Sequence, residues 1–284
     1  NAYKFAEFKS IYPLDNIDIT EPKHMFNHWI IHEFQILYRS IKENYQNYYF
    51  HEVANQLYHF TWHTFCDWYI ELSKNLLDSD DYRQETIYTF HLIFNSLLQL
   101  LHPIIPFITE KLWSKNNNSI LMTHQWNYTD IAVNESLINQ TKDFIEFIEE
   151  YRSIEKLFEI KKDDHVLIFS ENEQLQSLFE KNQSVFEFLT RKKLSSKPLQ
   201  AGLKLPFKKY DFIIETNQID KDKIKNKLME NQRNLQKEKT IIDKNLSNTN
   251  FTQRAPKDLI DQNTKRQQSI SLELSKIDSI LLNL

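Results

Sequence analysis

Glycine occurs once in this 284-residue chain, at Gly202. Doubly wound nucleotide-binding folds place Gly at the phosphate turn, where backbone must approach the ligand closely. A chain with one Gly offers no Gly-rich phosphate cradle. It also has almost no residue suited to a left-handed helix cap, so its helix ends must rest on polar loops. These limits favour long helices joined by Asn-, Asp- and Ser-rich connections.

The segment from Phe50 to Lys74 has no Pro and no Gly. Phe50, Val53, Ala54, Leu57, Phe60, Phe65, Trp68 and Leu72 recur at helical spacing. Tyr58, Trp62, Phe65 and Tyr69 form a second stripe beside them. So wide an apolar face needs cover on more than one side, and the segment is expected to be the inner helix of a bundle. A helix from Pro22 to about Tyr45, capped by Thr20 or Glu21, precedes it. A third helix follows the DSDD turn at 78–81 and carries Ile87, Phe90, Phe94 and Leu101. Pro103 and Pro106 break or kink its end. Residues 114–133 read as a loop with Trp126 pinned to the bundle, and a fourth helix covers roughly 134–159. At Asp163 the pattern changes. VLIF (166–169) reads as a strand, Leu175 to Leu189 as a helix, and 199–207 with 210–215 as a strand pair around Lys208–Lys209. From Ile219, apolar residues stepping by four and three predict an antiparallel hairpin with a heptad seam, its turn between 247 and 255 and Pro256 opening its second arm. The seam includes Ile224, Leu228, Leu235 and Ile242, then Ile270, Leu274, Ile277, Leu281 and Leu284. The expected fold class is mainly α: a helical bundle at 1–160, a small α+β domain at 161–218 and a coiled-coil hairpin at 219–284.

The net charge of −4 is unevenly spread. Residues 1–150 hold 10 Lys/Arg against 20 Asp/Glu, whereas 219–284 hold 13 against 9. A nucleic-acid partner would find its electrostatic footing in the C-terminal half. The single cysteine, Cys66, excludes an intrachain disulfide and fits a reducing cytosol. There is no signal peptide and no apolar run long enough to span a membrane, so a cytoplasmic location is expected. The sequence reads as a piece of a longer protein. His59, His63 and Asp67 have the spacing of ligands on one helical face, but they read as a polar strip, and no metal site is expected. Glu149–Glu150 and Asp163–Asp164 are sequence neighbours that face different directions on a helix, so they read as solvated surface.

Three runs carry a resemblance. FTWHTFCDWYIELSK (60–74) is similar to the anticodon-binding domain of class I aminoacyl-tRNA synthetases, and its "W-x-x-F-C-D-W-Y-x-E" pattern is most like the valine branch of the valine, isoleucine and leucine group. HPIIPFITEKLW (102–113) matches a run recurrent in that group. KNLSNTNFTQRAPKDLI (244–260) is similar to the turn of the coiled-coil arm that ends valyl-tRNA synthetases, through Leu246, Asn248, Phe251, Ala255, Pro256, Leu259 and Ile260. Asn1, Ala2, Lys4 and Phe5 also match the ending of the helix that joins catalytic core to anticodon bundle. The resemblance covers nearly the whole chain in order and is weakest in 160–218.

The resemblance implies the tRNA-binding C-terminal region of a valine–tRNA ligase. Neither the "HIGH" nor the "KMSKS" catalytic motif is in the sequence, so no residue here is credited with aminoacylation or editing. No cofactor is expected in this stretch, with ATP and Mg implied for the full enzyme. The implied partners are valine tRNA and the upstream catalytic and editing domains, and a monomer is expected. Anticodon bases stack on exposed rings or Arg planes. Tyr12, beside Pro13, and then Phe8 are the candidate rings, with Lys4 near them; a ring closing the bundle end is the alternative. Phosphate contacts would come from Arg191, Lys192 and Lys193, with Lys197, and from Lys244, Arg254, Lys257, Lys265 and Arg266 on the arm, along with Lys237 and Lys239. The alternative for these cations is ordinary solvated charge, the 191–193 run being an exposed helix end. The alternative functions are a non-catalytic coiled-coil scaffold, or the same region of an isoleucyl enzyme.

Overall fold

The computed structural model describes residues 1–13, 19–126, 128–162, 164–199, 202–207, 210–215, 221–248 and 255–284. Lys208–Lys209, Asp163, Phe251 and Arg254 lie outside the described residues. The chain divides into two compact units, Asn1–Ile145 and Glu146–Leu284. Among the described residues no helix is long and apolar enough to cross a membrane.

The first unit contains α1 (Ala2–Phe8), α2 (Met25–Gln46), α3 (Phe50–His59), a π-helical segment (Phe60–Tyr69), α4 (Ile70–Leu76), α5 (Arg83–Leu101), α6 (Pro106–Trp113) and a 3₁₀ turn (Leu121–Thr123). The most deeply buried helices are α2 and α5 rather than the 50–74 segment. Every residue from Met25 to Ile31 is buried, and Phe34, Leu37 and Ile41 continue the buried face. Two of those seven are polar, and both are paired. The Glu85 carboxylate accepts the amides of Lys23 (2.9 Å) and His24 (2.9 Å) and the Asn27 amide group (2.7 Å), and Tyr69 Oη donates to Asn27 Oδ1 (2.8 Å). His28 Nδ1 accepts the Asn134 amide (3.1 Å). The helix starts at Met25 with His24 as its N-cap, three residues beyond the expected start at Pro22. Glu85 of α5 holds the two amides just before that start, a partner across the unit that local sequence does not show.

Along 50–76 the backbone is helical throughout, but Phe60–Tyr69 is wound as π-helix. Leu57, Phe60, Phe65, Tyr69 and Ile70 are all buried. The step of five from Phe60 to Phe65 would turn an α-helix away from its apolar face, and the wider π turn absorbs it. Both stripes have exposed members in their first half: Tyr58 and Trp62 of the second, and Phe50 and Ala54 of the first. The face buried by α2 and α5 is therefore narrower than the composition of the segment implies.

In the second unit, α7 (Glu135–Leu157, which crosses the division), α8 (Glu173–Lys181) and α9 (Gln183–Thr190) accompany a sheet of β1 (Leu167–Ser170), β2 (Lys193–Leu194), β3 (Leu203–Phe207) and β4 (Tyr210–Glu215). The strand order is β2-β1-β4-β3. β1 is parallel to β2 and antiparallel to β4, which pairs antiparallel with β3. Phe147, Phe179, Phe186 and Phe212 meet at ring separations of 4.5–5.9 Å and bind sheet to helices. α10 (Lys221–Ser247) and α11 (Lys257–Asn283) follow. Hydrogen bonds from Gln232 to Asp278, Arg266 to Glu238 and Gln267 to Asp243 run in opposite directions along the two helices, so they form an antiparallel hairpin. Ile224, Leu228, Leu235, Ile242, Ile270 and Ile277 are buried in it. Ile280 is buried where the heptad expects Leu281, because α11 packs against β3 as well as α10.

Candidate functional site

The first unit has an open groove of about 940 Å³ beside α5. Asn95, Ser96 and Gln99 reach it from one face of that helix, Trp113 lines it from the end of α6, and His124 and Tyr128 line it from the segment that follows. The Trp113 and His124 rings are 4.9 Å apart. Trp113 Nε1 donates to Ser119 (3.2 Å), which fixes the indole. Side-chain amides can donate and accept at once, and rings offer stacking faces, so the groove has the chemistry to take a planar polar group. These α5 residues are not among the candidates drawn from the sequence. Their signal is the polar trio at i, i+1 and i+4 in the otherwise apolar second half of the helix.

Pro13 lies on the rim of the groove. Its neighbour Tyr12 is 62% exposed, and Phe8 on α1 is 84% exposed. Lys4 is also exposed on α1. His91 sits at the groove floor, with Nε2 3.2 Å from the Ile11 carbonyl. Burial lowers its pKa, opposed by the hydrogen bond to Ile11.

The cations of the second unit are not equivalent. Arg191 and Lys193 are exposed, but Lys192 between them is 3% exposed. Its ammonium donates to the carbonyls of Lys161 (2.6 Å), Lys162 (3.1 Å) and Asp164 (3.1 Å), with Glu155 at 4.0 Å. Burial raises the Glu155 carboxyl pKa, opposed by the nearby lysine. Lys192 is thus a structural tie and presents no charge to a ligand. A phosphate contact and an exposed helix end both require an exposed side chain, and Lys192 has none because Arg191 adopts the left-handed conformation (φ 56°) that ends α9 and the chain turns at once into β2.

On the hairpin, Lys244, Lys257 and Lys265 are exposed. Arg266 is held by Glu238 through two bonds of 2.8 and 2.9 Å and by Glu273 at 2.9 Å. Its pKa is raised by the hydrogen bonds to Glu238. Arg266 therefore stitches the two helices together. Among the described residues no three His, Cys, Asp or Glu side chains gather as a metal ligand set. His63 is placed 3.2 Å from Asp67 on the exposed side of the π segment.

Residues 27–168 match a family model described as the anticodon-binding domain of tRNA ligase, and residues 220–284 match one described as the valyl tRNA synthetase tRNA binding arm. The chain belongs to the C-terminal region of the valyl-tRNA synthetases. A valine–tRNA ligase of Pelagibacter ubique is 32% identical over 88% of this chain. Others from Zymomonas mobilis and Borrelia garinii are each 28% identical, over 99% and 90% of it. The chain spans only 30–33% of the length of these synthetases. In synthetase terms, the groove belongs to the anticodon-binding match and the cations Lys244, Lys257 and Lys265 to the arm match.

Proposed function

We propose that this chain holds valine tRNA for a valine–tRNA ligase, the first unit meeting the anticodon loop and the α10–α11 hairpin bracing the RNA body. The observation that carries the reading is the order of the two matches, an anticodon-binding domain and then a tRNA binding arm, over the two described units. The whole enzyme would join valine to its tRNA in the cytoplasm as a monomer, with ATP and Mg acting in the upstream catalytic portion. The groove beside α5 gives the bundle a place for an unstacked base: Asn95 and Gln99 for its edge, and exposed Tyr12, next in sequence to the lining residue Pro13, for its face. The exposed cations Lys244, Lys257 and Lys265, with Arg191 and Lys193, would contact phosphates, which position RNA without reading it.

The test is binding of valine tRNA and an anticodon-changed variant to the full-length enzyme at several salt concentrations. Replacing Lys244, Lys257 and Lys265 together by Gln should weaken both RNAs alike and lower the salt slope by about one for each phosphate that is no longer neutralised. Replacing Asn95 and Gln99 by Ala should narrow the gap between the two RNAs and leave the slope in place. If the lysine variant keeps its full slope, the hairpin is not the electrostatic contact.

A further inference from the structure

The turn between α5 and α6 exposes a cluster of apolar side chains. Ile104, Ile105, Phe107 and Ile108 come from the turn and the start of α6, and Ile120 and Met122 lie alongside. Phe107 is 91% exposed and Met122 72%. Loose loops can carry stray apolar residues, but this segment is braced. The amides of Ile104 and Ile105 donate to the Leu101 carbonyl (3.0 and 2.9 Å). Buried Thr109 donates to the Ile105 carbonyl (2.9 Å), with His102 Nδ1 2.8 Å from the same hydroxyl. The Glu110 carboxylate accepts the amides of Leu121 (3.0 Å) and Met122 (3.3 Å), which draws the second stretch against α6. A rigid exposed apolar patch is the mark of a docking surface, and its rigidity lowers the ordering cost of docking.

Its chemistry selects the occupant. RNA needs cations for phosphates and flat rings for bases. This patch is mostly aliphatic, with one ring, and its unit holds 10 Lys/Arg against 17 Asp/Glu. A protein surface is the better match. The chain corresponds to the C-terminal region of relatives about three times its length, so most of such a polypeptide lies upstream of the position of Asn1. The α1 helix brings the chain in at this side of the unit: Lys115 Nζ, two residues past α6, lies 5.8 Å from the centroid of the Tyr3 ring. We infer that the Ile104–Ile108 turn, with Ile120 and Met122, is the seat on which the upstream catalytic portion of the same polypeptide packs an apolar surface. The upstream part is then fixed to the bundle by a side-chain interface, not only by the covalent link through α1. This inference does not depend on which RNA groups the groove or the hairpin contacts.

The experiment places a photoreactive benzoylphenylalanine at position 107, and separately at 122, in the full-length enzyme without tRNA. Irradiation and digestion should give crosslinks within one molecule, to peptides upstream of Asn1. Absence of such crosslinks, products of doubled mass, or crosslinks that form only to added tRNA would each overturn the inference. Independently, Phe107→Asp in the full-length enzyme should speed proteolytic cleavage upstream of Asn1 several-fold without loss of helical content. Unchanged cleavage would mean that Phe107 faces water in the whole enzyme. Because both readouts are taken without RNA, their failure is distinct from failure of the tRNA reading.

Discussion

Gly202 precedes β3, where a Cβ would stand 2.5 Å from Ile213 Cγ2 and 2.8 Å from the carbonyl oxygen of Ile214. The methyl group could turn aside, but the backbone oxygen is fixed by the β3–β4 pairing. Gly202→Ala is therefore expected to cost about 1–3 kcal/mol, read as a lower urea midpoint. The sequence marks the glycine as rare; only the strand pairing shows why one is needed there. His24 gives a pH-dependent counterpart. Burial pushes its imidazole pKa down to about 4, with nearby His28 adding to the shift, and its Nδ1 must stay unprotonated to accept the Phe26 amide at 3.3 Å. In the unfolded chain a histidine titrates near 6.5. Between those values the unfolded state binds a proton that the fold does not. The His24 contribution is thus complete above about pH 6.5 and is lost as pH falls toward 4. Denaturant titrations of wild type and His24→Asn, which keeps a capping side chain, should converge as pH drops across that window. Parallel curves would show that His24 does not govern it. Lys192 shows the limit of reading residues singly. Three consecutive cations look alike in sequence, yet the reversal at Arg191 and the carbonyls of 161–164 make the middle one internal.

Elements with a strong period are legible in the sequence, and those fixed by distant partners are not. The hairpin follows its heptads because each helix has one dominant neighbour along most of its length. A charge at Ile277, which is buried, should melt it, whereas the same charge at exposed Ser275 should be nearly neutral. Ile277→Lys and Ser275→Lys compared by thermal melting decide the register, and equal effects would place the seam elsewhere. The start of α2 departs from its expected place because Glu85, which holds the amides of Lys23 and His24 outside the helix, is about sixty residues away in sequence. β2 is not foreseen because two residues carry no period, and its pairing with β1 depends on the crossover through α8 and α9. The π segment passes for ordinary helix in its composition, although the five-residue step from Phe60 to Phe65 is visible. In the candidate site, the loop around the groove-lining Pro13 can be named from the sequence. The α5 amides cannot, because a groove is defined by the segment that returns across it.

At the scale of the whole molecule, charge and chemistry are divided between the units. The first unit is acidic and carries the ring-and-amide groove, while the second holds 25 Lys/Arg against 22 Asp/Glu and carries the arm. That division suits a partner read at one place and gripped at another, as the salt experiment would show. The hairpin also has a mechanical consequence. Its helices are 27 residues each, about 40 Å long at 1.5 Å per residue. Near its root, Lys276 pairs with Glu150 (2.6 Å), Lys223 pairs with Glu159 (2.6 Å), and α11 rests on β3. Exposed ion pairs of this kind add little to stability, but the root of a cantilever sets where its tip points. A tilt of about 10° there would swing the far end by about 7 Å over that length, roughly a nucleotide's span. Side chains that never meet a ligand can thus set the aim of those that do.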